Sequence, residues 1–467
     1  MIRIRRPIHR VTVRRAATDY IRVEDISSDV LTIRTVKAFE QPAGTFTLGT
    51  TFRPKLDGKP LHEALRPNDL VLIELKADYQ QRWVPVMLGL VDRAGWRLQM
   101  VGERAIREGQ IVGRDLGKLL ITHNLIWWQW ATTDPFFGDP LRNATVLEKA
   151  GMRPNPVGTP DQIIDQIVDL LFLRKATLPS SLRGTGTPAV RARDGETWFT
   201  DYWRNWFAFT RLPEKTGYNH AKFSPGQGVL GWLNTDTTVW NLITAYADQP
   251  WNQVWTDTGD DKMFHVYFRP TPYPSGREGR TDWELVSLYT PDAEAIIGED
   301  LGVSDHDRVN FFYTRLTTDP VFQGQQWGVT AIYPDTAPME DDTPFHGQLP
   351  LIRDSRFMTD WGPGGVPIAE RIRDGETTLL KQDSGKSPVV QMMRLKTGLL
   401  QDWFQPNPTF VSGTVTLAGD PAVRVGQRLY YAREKLEFFI VGVQQNYSWG
   451  QNQFTTTLNV VRGAKRV

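Results

Sequence analysis

The clearest periodicity in the chain lies near its end, between 424 and 462. From Phe454 to Val461 the side chains alternate, with Phe454, Thr456, Leu458 and Val460 on one side and Thr455, Thr457, Asn459 and Val461 on the other. A period of two, rich in Thr and Val, predicts a half-buried antiparallel strand. Ahead of it, the turn Val425-Gly426-Gln427 opens a short strand. The charged turn Ala432 to Lys435 leads into a further strand from Phe438 to Val443.

The same order of signals occurs near the start. Strands are expected over Val30 to Phe39 and Gly44 to Phe52, joined by the turn Glu40-Gln41-Pro42-Ala43. The turn Arg66-Pro67-Asn68-Asp69 precedes a run from Leu70 to Leu75, then strands at Trp83 to Val91 and Trp96 to Val101. Turns every ten residues or so predict a small antiparallel barrel or sandwich. Set side by side, Arg66 to Asp69 aligns with Arg424 to Gln427, Val71 to Glu74 with Leu429 to Ala432, and Val86 to Val91 with Phe438 to Val443. Two copies of one small β-domain at the two ends of the chain are expected.

Between them the pattern changes. A helix is predicted from Pro160 to Lys175, with Thr159, Pro160 and Gln162 as its start signals and Ile163, Ile164, Ile167, Val168, Leu170 and Leu171 as its apolar face. A second helix is expected over Thr237 to Ala247, capped by Asp236, and strands over Met263 to Arg269 and Trp283 to Tyr289. Residues 308 to 316 and 327 to 333 resume strand pattern, and an acidic, proline-bearing loop follows to Pro350. Ser387-Pro388 opens a helix through Phe404, and a strand from Val411 to Leu417 leads into the closing meander. Near the first copy's end, Gly113-Arg114-Asp115 marks a strand-to-helix junction, with Asp115 as the cap. The expected fold is α+β and mainly β: a first barrel over 1–113, a mixed α/β insertion over 114–302, and a second barrel over 303–467 carrying a loop and helical insertion at about 334–404.

Composition sharpens this in a few places. Ten of the 17 Trp lie between Trp127 and Trp255, so the inserted domain is Trp-rich. The chain has no cysteine, which excludes disulfides, thiolate metal sites and thiol nucleophiles. The formal net charge is +1, which does not mark a nucleic-acid binder. The first 22 residues carry seven arginines, from Arg3 to Arg22, against the single acid Asp19; they read as a solvated strand or a subunit-packing arm, with a phosphate-binding arm as the other reading. No apolar run reaches the ~20 residues of a membrane span, and no signal peptide is expected.

Candidate chemistry is sparse. The seven histidines form no HxH or HExxH pattern, and Asp305-His306-Asp307, the most site-like cluster, reads as a capped turn before a strand, with a metal site as the other reading. Glu340-Asp341-Asp342 lacks calcium-loop spacing, and Gly184 to Pro188 has no strand ahead of it to form a phosphate cradle. There is no Walker loop, GxSxG or GxGxxG. Catalytic, cofactor and metal residues are therefore assigned as none. Two enzymatic or binding alternatives remain: a cell-wall polysaccharide hydrolase using a carboxylate pair, or a carbohydrate-binding module using Trp198, Trp203 and Trp206.

Three pieces of sequence resemble the central baseplate hub proteins of tailed bacteriophages, the family of late control protein D and of the hubs of related contractile injection machines. The first is Ala38 to Phe52 with Arg66 to Val71 and Leu88 to Asp92. The second is Val112-Gly113-Arg114-Asp115-Leu116 through Leu120. The third, and most specific, is Val425-Gly426 … Val441-Gly442-Val443 … Tyr447-Ser448-Trp449-Gly450 … Phe454 to Leu458 … Arg462-Gly463. The resemblance marks Gly113, Arg114, Asp115, Gly426, Gly442, Tyr447, Trp449 and Gly450 as structural motif residues. It implies two tail-tube-like barrels per chain and a homotrimer that adapts a six-fold tail tube to a three-fold spike. It also implies contacts with tube, spike and other baseplate proteins, a channel through which genomic DNA passes without specific binding, no cofactor, and residence in the virion tail after assembly in the host cytoplasm.

Overall fold

A computed structural model describes residues 7–16, 21–54, 56–78, 82–101, 104–122, 124–125, 159–168, 206–212, 222–223, 237–272, 282–316, 346–347, 349–355, 357–358 and 388–465. The protein is mostly β, with one large sheet and few helices. The first half comprises β1 (Ile8–Ala16), β2 (Ile21–Asp25), β3 (Val30–Ala38), β4 (Thr45–Thr50), α1 (Leu61–Ala64), β5 (Leu70–Lys76), β6 (Val84–Val101), β7 (Arg104–Asp115) and α2 (Gly117–Thr122). The middle contributes α3 (Pro160–Val168), β8 (Phe207–Arg211), α4 (Val239–Tyr246), β9 (Asn252–Thr258) and β10 (Phe264–Pro270). Then follow β11 (Ile296–Val303), β12 (Phe311–Leu316), β13 (Pro350–Ser355), α5 (Pro388–Phe404), β14 (Val411–Leu417), β15 (Arg428–Tyr431), β16 (Leu436–Ser448) and β17 (Gln453–Lys465).

The two ends of the chain repeat one strand order. In the first half the path runs β3-β4-β7-β6-β5; in the second it runs β11-β14-β17-β16-β15. The turns match atom for atom. Asn68 N–H donates to the Val91 carbonyl at 2.7 Å and Val91 N–H to the Asp69 carbonyl at 3.0 Å. Gly426 N–H donates to the Ile440 carbonyl at 2.8 Å and Ile440 N–H to the Gln427 carbonyl at 2.9 Å. Both turns need a left-handed residue, Asn68 at φ 69° and Gly426 at φ 78°. Both are closed by a side chain reaching back: Asp69 accepts from Arg66 N–H and Gln427 from Arg424 N–H.

This geometry corrects the alignment expected for the following strand. Val91 corresponds to Ile440, three residues away from the pairing of Val91 with Val443. Gly89 and Gly442, the glycines near the ends of the two expected strands, are not equivalent. Gly89 lies before a β-bulge, between Val91 and Arg93, and Gly442 just after the matching bulge, between Ile440 and Gly442. A second bulge recurs as well, between Val30 and Thr32 in the first half and between Ile296 and Gly298 in the second. Bulges shift pairing by one residue and bend the strand, so their repetition fixes the register of the duplication.

The mainly β, antiparallel fold with its two related halves is as expected, but the two β-units do not close as barrels among the described residues. Among the described residues the pairing path is open, and it runs through both halves as one thirteen-stranded sheet. The reason is the length of β16. Up to its bulge it pairs with β15; beyond it, Gly442 to Ser448 pairs with Ala38 to Thr32 of β3.

Leu70 to Ile73 of β5 are apolar without a break and buried on both faces, as a continuous rather than alternating pattern requires. Val71, Ile73 and Leu75 enter the core of the first half with Phe46, Leu48 and Ile111. Leu70 and Leu72 join Leu88 and Leu90 under α2, α3, α4 and the sheet β8-β10-β9. The second half has its own core around Leu429, Phe438, Ile440 and Leu458.

Smaller expectations shift locally. The cap of α4 is Thr238, whose hydroxyl accepts from Asn241 N–H at 3.1 Å, in place of Asp236, which lies outside the described residues. Trp283 to Tyr289 is a 3-10 turn, Asp282–Leu285, followed by the two-residue strand Leu288–Tyr289. Helix α3 ends its described span at Val168; the remainder to Lys175, the strand at 327–333 and the 184–188 and 340–342 loops lie outside the described residues.

Candidate assembly site

The place where the halves meet is built from both. Ile33 faces Tyr447, Thr35 faces Gln445 and Lys37 faces Val443 across the β3–β16 ladder. Tyr447 and Phe454 of the second half enter the core of the first. Tyr447 packs on the His9 ring at 4.8 Å, and burial pushes its phenol up to about 12. Burial likewise lowers the His9 imidazole, whose ring nitrogen lies 2.8 Å from the Ser27 carbonyl. In the other direction, Phe39 of the first half enters the second core, stacked on Trp255 at 5.0 Å and edge-on to Phe439 at 5.4 Å. The exchange interlocks the two cores, and Phe39 N–H to the Val441 carbonyl and Trp449 N–H to the Leu31 carbonyl close its ends.

The motif residues divide by position. Gly442 sits at the junction, opposite Ala38, and Tyr447 in its centre. Trp449 caps its end with an exposed indole, and Gly450 lies in the turn beyond with open space around it. Gly426 supplies the left-handed turn, against Phe39 and Trp255. Gly113, Arg114 and Asp115 stand apart from the junction, at the end of β7. Arg114 donates to Asp92 at 2.7 Å, and Lys118 pairs with the same carboxylate at 2.7 Å. Those two cations hold the Asp92 carboxyl below its usual range, against the opposing effect of burial.

Asp115 does cap α2, and does more. Its two oxygens accept from Gly117 N–H at 3.0 Å and Gly44 N–H at 2.9 Å. Lys37 Nζ lies 3.5 Å away and 2.6 Å from Asp257 of β9, so a buried charge cluster ties the middle sheet to the first half. Burial, only partly offset by Lys37 and the two amides, pushes the Asp115 carboxyl from 3.8 up to about 6. A carboxyl raised in the fold stabilises fully below its unfolded value, near pH 4, and that contribution is lost as pH rises through 6. Over this window Asp115 is expected to cost the native state about 3 kcal/mol. Urea titrations of wild type and Asp115→Asn from pH 4 to 7 check this: the variant should gain relative stability with pH, and parallel curves would refute it.

A second buried cluster gave no signal in the sequence. Lys396 Nζ of α5 lies 2.5 Å from Asp248 Oδ2 and 2.5 Å from Ser355 Oγ, above the Trp251 ring at 4.7 Å. These residues come from three distant segments and share no local motif. Serine beside lysine resembles a nucleophilic pair. Here all three side chains are buried and Asp248 holds the lysine's charge, so the cluster is a structural tie between α5, β13 and the end of α4.

The carbohydrate alternative gains little from the geometry. Trp240, Trp251 and Trp255 are buried, and Trp206 is covered by Arg14 at 4.4 Å. Trp198 and Trp203 lie outside the described residues. A cavity of about 530 Å³ opens between the halves and the middle sheet, lined by Trp255, Tyr267, Arg269, Asp260 and Arg424. Burial lowers the Arg269 guanidinium to about 9, held between the Trp255 and Phe439 rings. Asp305 pairs with Arg308 in a turn, and among the described residues no group of three His, Asp or Glu side chains has metal-site geometry. Among the same residues, no helix is long and apolar enough to cross a membrane.

No family model matches the chain, and no curated protein matches it. Solved structures similar to it include two tail proteins and a type VI secretion component. One is the 43 kDa tail protein of prophage MuSo2 from Shewanella oneidensis, 13% identical, TM-score 0.44, covering 97% of this chain and 98% of that one. Another is a tail protein from Neisseria meningitidis MC58, 12% identical, TM-score 0.40, covering 98% and 96%. A third is the E. coli c3393 protein, a component of the type VI secretion system described as similar to the T4 tail proteins gp27 and gp5. It is 9% identical, TM-score 0.37, covering 98% of this chain and 79% of that one.

Proposed function

We propose that this chain is a structural virion protein, the central hub of a phage tail baseplate. Three chains form a ring of six similar β-halves, which joins a six-fold tail tube on one side to a three-fold spike on the other. Genomic DNA passes through the ring without specific binding, consistent with a net charge of +1. The protein acts by assembly and uses no cofactor. The observation that carries this reading is the duplication with its junction: two halves of one strand order, placed side by side and joined through β3 and β16. A hub that matches six-fold to three-fold symmetry requires two equivalent units per chain.

In this reading, 1–113 is the first ring unit and the middle domain a decoration attached through Asp257 and Lys37. The second unit begins at Ile296, because β11 pairs with β14. The motif residues at the junction, Gly442 and Tyr447, hold the units together, and Trp449-Gly450 ends the shared ladder. Sedimentation of the purified chain is expected to show a homotrimer at micromolar concentration, and particle images a ring. A monomer that persists across that range would sink the reading.

A further inference from the structure

Each half has the same two pairing edges, yet only one junction is made within the chain. The first strand of the first half, β3, pairs with β16 beyond its bulge. The corresponding pair is β11, the first strand of the second half, and β6 beyond its bulge. Among the described residues these two segments have no partner on the matching sides. Resting on the ring reading above, we propose that β11 of one chain pairs with residues 93–98 of β6 in a second copy, in the register copied from β3 and β16. The register follows from the matched bulges. Thr32 to Ala38 correspond to Gly298 to Ser304, and Gly442 to Tyr447 correspond to Arg93 to Leu98. Ala94 of one copy then faces Val303 of the next, Trp96 faces Leu301, Leu98 faces Glu299, and Arg97 faces Asp300.

Burial supports this assignment. Gln445 and Tyr447, covered by β3, are 3% and 4% exposed; their counterparts Trp96 and Leu98 are 54% and 57% exposed. On the other edge Lys37 is 7% exposed and its counterpart Val303 is 64% exposed. Large apolar side chains on two unpaired strand edges are an association template. Trp96, Leu98, Leu301 and Val303 fall on one face of the new ladder. Arg97 and Asp300 meet on the other face, with opposite charges directly across the strands. A head-to-tail contact of this kind leaves one free edge at each end of any open chain of subunits, so it ends only by closing a ring.

The chain lacks cysteine, which allows a clean test. Facing residues in an antiparallel ladder have Cα atoms about 4.5–5.5 Å apart, within disulfide reach. The double variant Ala94→Cys, Val303→Cys, oxidised after assembly, is expected to give reductant-sensitive covalent dimers and trimers. Either single variant, or Ala94→Cys with Asp300→Cys on opposite faces, should give none. Independently, Val303→Asp should weaken assembly by about tenfold or more without moving the unfolding midpoint, because the residue is exposed in the isolated chain. A trimer by mass without in-register cross-links, or with an unchanged dissociation constant in Val303→Asp, overturns this interface and leaves the hub reading standing. A chain that stays monomeric overturns both.

Discussion

Replacing Lys396 with methionine is expected to destabilise the protein by about 3–5 kcal/mol, the cost of stripping one partner from a buried ion pair. The ammonium lies 2.5 Å from Asp248 Oδ2 and 2.5 Å from Ser355 Oγ, with the side chain 1% exposed. Burial disfavours its charge, and its pKa is lowered for that reason, while Asp248 opposes the shift. Methionine fills the space but leaves the Asp248 carboxylate in a dry site without its cation. The Trp251 indole, which donates to the Lys396 carbonyl at 2.9 Å and lies under the ammonium, keeps its hydrogen bond but loses the cation over its face. The damage therefore comes from electrostatics rather than packing. The double variant Asp248→Asn, Lys396→Met is expected to recover most of the loss, since replacing both charges removes the unpaired one. Urea unfolding of the two variants and wild type measures this. A single variant within about 1 kcal/mol of wild type would show that water reaches the cluster.

Gly113→Ala is expected to cost about 1–3 kcal/mol, the range for overpacking a filled core. A Cβ at this position would stand 2.2 Å from the Leu90 carbonyl oxygen and 2.3 Å from the Phe46 ring. Phe46 lies across two strand glycines, since a Cβ on Gly89 would also stand 2.9 Å from that ring. Trimming the ring with Phe46→Leu should not rescue Gly113→Ala, because the Leu90 carbonyl belongs to the β6–β7 ladder and cannot move aside without breaking it. Gly450→Ala is the control. Nothing lies within 4 Å of a Cβ there, and a surface change of that kind stays within about 0.5 kcal/mol. Thermal and urea unfolding of the three variants would decide this, and equal midpoints for Gly113→Ala and Gly450→Ala would refute the steric account. Two glycines of the same resemblance thus carry different physical weight.

The effects of these substitutions lie at different levels of the structure. Lys396 and Asp115 stand in buried clusters that tie separate segments together, so their substitution is read as stability. Tyr447 and Gly442 stand where one half is joined to the other, so changes there act on the spacing of the two units. Val303 and Trp96 stand on open edges, so changes there act on assembly and leave the single chain folded.

What the sequence determined by itself is local. Alternation placed the strands at Val411 to Leu417 and Phe454 to Val461, and proline and capping signals placed α5 and the start of α3. The unbroken apolar stretch Leu70 to Ile73 of β5 carried the information that both of its faces are covered there. The turn pairs Asn68-Asp69 and Gly426-Gln427 were legible as a repeat because left-handed conformation and side-chain closure leave a trace in residue type. Features that depend on backbone pairing between distant segments emerge only in the folded chain. The bulges set the register three residues away from the alignment expected from the order of turns and strands, because a bulge has no fixed composition. The joining of β3 to β16, which runs the two halves into one open sheet, depends on how far β16 runs beyond its bulge. The Lys396 cluster gathers side chains that no spacing rule connects. Residue type fixes the conformations a segment favours, whereas pairing partners are chosen by the free energy of the whole sheet, and that is not written in any one stretch of chain.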